Sequence, residues 1–135
     1  MPIADVTLIG AAQHETEGLA RRLADALSLA LGAPAGTTWV RLHRVAAEDY
    51  AEDGGAPEGV RPVFVDLLRR AWPDDDAERA RSLRAVAEAV AVACGRPVAN
   101  VHVLAEPPAA GRMAFGGARV ASLAKSRSRS RVSVT

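Results

Sequence analysis

The chain has 135 residues, 49% of them hydrophobic and only 4% aromatic, with 17 Lys+Arg against 16 Asp+Glu. Lys125, Arg127, Arg129 and Arg131 crowd the C-terminal stretch, so the body carries 13 basic against 16 acidic residues, a net of −3, and no nucleic-acid footprint. Cys94 is the only cysteine, which excludes an intrachain disulfide, and the longest apolar runs are too short to span a bilayer. With no basic region followed by a long apolar stretch at its start, the chain reads as a soluble, cytoplasmic protein that binds no membrane.

In chain order, Pro2 leads the nearly continuous apolar run Ile3–Ile9, as expected for a buried strand. A polar stretch over 10–18 follows. Leu19, Leu23, Leu27, Ala30 and Leu31 then recur at helical spacing, with Arg21, Arg22 and Asp25 on the other side. Gly32 and Pro34 stop that helix. Trp39–Val45 alternates like a strand, with Arg41, His43 and Val45 on one face, and Gly54-Gly55 closes the unit.

The same order of events then repeats. Pro62 leads the run Val63–Leu68, and "WPDDDAER" supplies a helix start in which Asp75 stands three residues before Glu78 as a capping-box pair. Leu83, Val86, Val90, Ala93 and Cys94 form an apolar stripe, Gly95 and Pro97 stop the helix, residues 101–104 read as a strand, and Phe115-Gly116-Gly117 closes the unit. The pattern is a tandem β-α-β duplication of class α+β, with units at about 2–55 and 62–117 inside one domain over 1–124. Right-handed crossovers make the strands of each unit parallel. The expected result is one four-stranded mixed sheet with both helices on one face. The other face is expected to be apolar, with Val63, Val65 and Leu67 pointing towards it, and so to need a partner. Residues 125–135 have the composition of a disordered basic Ser/Arg tail.

This arrangement resembles the tautomerase superfamily, and within it the fused two-unit relatives of 4-oxalocrotonate tautomerase. The residues that carry the resemblance are "PIADVTLI" at the start and "RPVFVDLLRRAW" through "VANVHVLAEPPAAGRMAFGG" in the second half, together spanning about 2–120. The resemblance implies a homotrimer, no cofactor and no metal. It also implies catalysis by Pro2, whose nitrogen becomes a free secondary amine once Met1 is removed. An α-amino group titrates at about 8, and desolvation with a nearby arginine lowers that value towards neutrality. Such a base can move a proton between carbon and oxygen, or along a conjugated chain.

The substrate class implied is a small carboxylate or 2-keto acid, bound by arginines. The family position at the end of the second unit's first strand matches Arg70, with Arg69 one residue away. A second matches Arg41, or Trp39 one strand repeat earlier. Trp72, Met113 and Phe115 are candidate apolar walls. His102 stands where the second unit's equivalent arginine would be, and Pro62, acylated by Arg61, has no free nitrogen. The Tyr and Glu of the hydrating and dehalogenating relatives match Val103 and Ala114 here. Glu106 matches a position of no settled role, and Glu48, Asp49, Tyr50 and Glu52 read as a solvated loop. Two other readings stay open: a hydratase, dehalogenase or decarboxylase using protonated Pro2 as an acid, and a non-catalytic trimeric module.

Overall fold

The computed structural model describes residues 2–123; Met1 and residues 124–135, which include the basic tail, lie outside the described residues. Strand β1 (Ile3–Ile9) leads through a single 3-10 turn to helix α1 (Leu19–Leu31) and strand β2 (Trp39–Val45). The second unit follows with β3 (Val63–Leu68), α2 (Asp76–Cys94) and β4 (Val101–Ala105). A short hairpin, β5 (Ala114–Phe115) and β6 (Ala118–Arg119), turns at Gly116-Gly117. The sheet order is β2-β1-β3-β4. Strands within each unit are parallel, and β1 and β3 meet antiparallel at the centre.

Local chemistry explains where the helices start and stop. The carboxylate of Asp75 accepts the backbone N–H of Glu78 at 3.0 Å, satisfying one orphan donor of α2. Both helices end in a left-handed glycine, Gly32 and Gly95, followed by the backbone bonds Ala33 N–H to Ser28 O and Arg96 N–H to Ala91 O.

The core lies between the sheet and the two helices. Ala4, Val6 and Leu8 of β1 and Val63, Val65 and Leu67 of β3 are fully buried against Leu19, Leu23 and Leu27 of α1 and Val86 and Val90 of α2. Each of the Val and Leu side chains contributes about 1.5–3 kcal/mol through removal from water. This corrects the expectation that Val63, Val65 and Leu67 line an uncovered apolar face. They face the helices, and the alternate set, Ile3, Asp5, Thr7, Phe64, Asp66 and Leu68, forms the helix-free side. That side carries a carboxylate at the centre of each middle strand, so it is mixed rather than apolar. Among the described residues no helix is long and apolar enough to cross a membrane.

Candidate functional site

The antiparallel register brings the sequence-selected groups at one end of the sheet together. Ile3 pairs with Leu68, so Pro2 stands one step further, level with Arg69. Pro2 is buried, and its carbonyl accepts the backbone N–H of Trp39 at 2.9 Å, which fixes the start of β1 to β2. The segment after β4 folds back along the end of β3. Glu106 N–H donates to Leu67 O (2.9 Å), Ala109 N–H to Arg69 O (2.8 Å) and Ala110 N–H to Arg70 O (3.2 Å). Ala109 is fully buried in this contact. The carbonyls of the two arginines are thus fixed by the segment that follows β4.

Their side chains differ. The Arg69 guanidinium stacks over the Trp72 ring at 5.1 Å, is partly buried, and has an Nη1 with no hydrogen-bond partner among the described residues. Burial pushes its pKa below the usual arginine value, and the group stays cationic. An unsatisfied buried cation is costly unless something anionic meets it. Arg70 is exposed.

The helix-free face carries a cleft of about 570 Å³ that begins at the Ile3/Leu68 pair. Its walls also include Trp39, Met113, Asp5, Asp66, Arg41 and Arg112. Arg41 sits across from Asp5 in the parallel register and grips it with both prongs, Nε at 2.7 Å and Nη2 at 2.8 Å. His43 Nε2 lies 3.0 Å from the same carboxylate. The Arg41 hydrogen bond, opposed by desolvation and reinforced by His43, holds the Asp5 carboxyl below its ordinary pKa, and Asp5 in turn raises that of Arg41. Nη1 and the second N–H of Nη2 are left on Arg41 for another acceptor.

The selected residues therefore divide. Pro2 shares the end of the sheet with Arg70, the arginine selected from the sequence and exposed here, and with its neighbour Arg69. Arg41 and Met113 line the adjoining cleft, and Phe115 packs edge-on against Trp39 at 5.2 Å. Trp72 lines a separate cleft of about 600 Å³ with Leu83 and Arg79, its indole N–H bonded to Glu106 O at 2.9 Å. Glu106 borders both clefts. His102 lies on the face of β4 beside Phe64, with ring centroids 5.3 Å apart. Asp5, Asp66 and Arg112 were not selected from sequence. The signal was present for the two aspartates, which are the only charges in two otherwise apolar central strands.

Neither a protein-family model nor a curated protein matches the chain. Among solved structures, a wild-type fused 4-OT, a symmetric trimer, aligns at TM-score 0.66 with 22% identity over 88% of this chain and 95% of that one. The chain has the fused tautomerase fold. Pt0534 inactivated by 2-oxo-3-pentynoate aligns at TM-score 0.66 and 20% identity, covering 88% of this chain and 96% of that one. FG41 malonate semialdehyde decarboxylase inhibited by 3-bromopropiolate aligns at TM-score 0.64 and 19% identity, with 84% and 88% covered. In this tautomerase-fold chain, the end of the sheet holding Pro2 and Arg69 is the candidate site.

Proposed function

We propose that this tautomerase-fold protein, with Met1 removed, catalyses keto–enol or double-bond tautomerisation of a small carboxylate or 2-keto acid. Pro2 is the base. In the enol-to-keto direction its amine accepts the enol hydroxyl proton as the C=O bond forms, and the resulting prolinium then delivers that proton to carbon. The carboxylate is held by the arginines at the end of β3, Arg69 and Arg70. Arg41 offers Nη1 to the oxygen on which charge develops. Because Asp5 already engages its other prongs, Arg41 has the smaller part. Met113 and Phe115, through Trp39, bound the apolar side of the ligand, and Trp72 backs the Arg69 guanidinium.

The observation that carries this reading is that Arg69, whose buried Nη1 has no hydrogen-bond partner among the described residues, stands one register step beyond the Ile3/Leu68 pair, as Pro2 does on the facing strand. A buried cation beside an amine disfavours the amine's protonated form and supplies a counter-charge for a carboxylate. The likeness to proteins inactivated by 2-oxo-3-pentynoate and inhibited by 3-bromopropiolate, both small carboxylates, supports the substrate class. A homotrimer is part of the same proposal. The edge strands β2 and β4 expose Trp39 (53%) and Leu104 (49%), apolar groups suited to contact between copies.

The test is a ketonisation assay on phenylenolpyruvate, with the intact mass of each preparation measured in parallel. The expected result is loss of Met1, acceleration by the wild type, a loss of about 100-fold or more in Pro2→Ala, and about tenfold or more in Arg69→Ala. Equal rates in the wild type and Pro2→Ala, or full activity in protein that keeps Met1, would overturn it.

A further inference from the structure

The cleft that adjoins the Pro2 end has an unusual charge balance for a site that takes anions. Its walls hold three carboxylates, Asp5, Asp66 and Glu106, and two guanidinium groups, Arg41 and Arg112. Asp5 and Arg41 cancel each other through their bidentate pair. Arg112 is anchored by neutral acceptors, Nε on Pro108 O at 2.8 Å and Nη2 on Pro107 O at 2.7 Å. Among the described residues no ion pair joins Asp66 or Glu106 to a cation. Asp66 lies directly opposite Asp5 in the central ladder, where two like charges repel. Asp5 has Arg41 and His43 to relieve that repulsion, whereas Asp66 stands on the cleft wall with no ion-pair partner among the described residues.

We infer that the cleft selects monocarboxylates over dicarboxylates, and that Asp66 is the residue that sets this preference. The inference rests on the proposed site. With a ligand's carboxylate on the arginines at the end of β3 and its reacting carbon at Pro2, the rest of the chain runs along the helix-free face. It passes between Ile3 and Leu68 and Trp39 and Met113, all apolar or amphipathic. Asp66 pairs three positions further along β1 than Pro2, about 10 Å at strand rise. A methyl or hydroxyl terminus is accepted there. A second carboxylate meets Asp66 across a cleft whose net charge is already negative, and Arg112 alone does not offset both Asp66 and Glu106.

Two ligands that differ only at that terminus, 2-oxooctanoate and 2-oxooctanedioate, test the idea by calorimetric titration of the full chain at low salt. The wild type is expected to bind the monocarboxylate at least tenfold more tightly, with the ratio shrinking as salt is added. Asp66→Asn, nearly isosteric, should narrow the ratio at least fivefold, chiefly by tightening the dicarboxylate. Equal affinities in the wild type, preference for the dicarboxylate, failure to bind either ligand, or an unchanged ratio in folded Asp66→Asn would each overturn the inference. The two readings fail separately. Selectivity without Pro2-dependent ketonisation removes the reaction and leaves the cleft's preference, and Pro2-dependent ketonisation without selectivity does the reverse.

Discussion

The two proline-led strand starts occupy opposite ends of the same antiparallel pair, β1 and β3, yet their surroundings have little in common. At the Pro62 end, the proline nitrogen is acylated by Arg61, and the space beyond the end of β1 is filled. The Arg61 guanidinium lies against Gly10, so that a Cβ on Gly10 would come within 2.5 Å of Arg61 Nη1. Arg96, its side chain only 9% exposed, ties the Arg61 carbonyl (3.3 Å) to the Glu15 carboxylate (3.2 Å). At the Pro2 end, the residue after the opposing strand is Arg69, whose buried Nη1 has no partner among the described residues, and its neighbour Leu68 lines an open cleft. A duplicated backbone thus gives two equivalent positions. What distinguishes them is the residue at the far end of the neighbouring strand.

The sharpest way to break this comparison is to treat both prolines alike. Pro2→Ala should lose ketonisation by about 100-fold or more, whereas Pro62→Ala should stay within about twofold of the wild type per folded molecule. Parallel losses in kcat/KM would show that the ends are not functionally distinct. Next in size is Gly10→Ala. Gly10 has φ +65, where a Cβ costs about 1–3 kcal/mol, and the Arg61 side chain must also give way. Urea unfolding reads that loss, and Arg61→Ala in the same background should recover the part due to the contact.

The helices offer a smaller contrast between the halves. Only α2 has a side-chain N-cap, and α1 starts at Gly18 without one. Asp75→Ala should therefore cost about 1 kcal/mol in the same unfolding measurement. The smallest effect belongs to Asp5, whose carboxyl is held below the ordinary 3.8 by Arg41 and then His43. A lowered carboxylate pKa stabilises above the unfolded value, and that contribution fades as pH falls through the folded value. Asp5→Asn should flatten the decline in stability on the acid side of pH 4, read as a reduced slope of melting temperature against pH. Because the pair is solvent-facing, the slope change is small.

Much of the fold was legible because its determinants are local. The leading prolines, the Asp75 cap, the terminating Gly32 and Gly95, and the helical stripes each specify their own segment without reference to the rest. Assigning the buried face of β3 depended on more. Val63–Leu68 is apolar on both sides, so alternation alone does not choose between them. Asp66 was the mark that did, together with Asp5 in β1, and reading those two charges first gives the observed face. The candidate site was legible in part: Pro2, Arg70, Arg41 and Met113 were read from the sequence, whereas Asp5, Asp66 and Arg112 of the same cleft were not. That Arg69 stands level with Pro2 follows from the strand register, and that Asp5 occupies Arg41 follows from a parallel pairing between residues 36 apart in sequence. No local pattern encodes either.

Gly10 has a consequence for how this chain can change over generations. Placing an arginine at Gly10, beside Pro62, would require a side chain where the backbone is left-handed and Arg61 already rests. The first step would lose stability before any new binding was gained, and even then the Pro62 nitrogen would remain an amide. The asymmetry therefore lies between the two ends of the β1/β3 pair and not between the two units: the cleft at the Pro2 end draws its walls from both halves, while the Pro62 end is committed to packing.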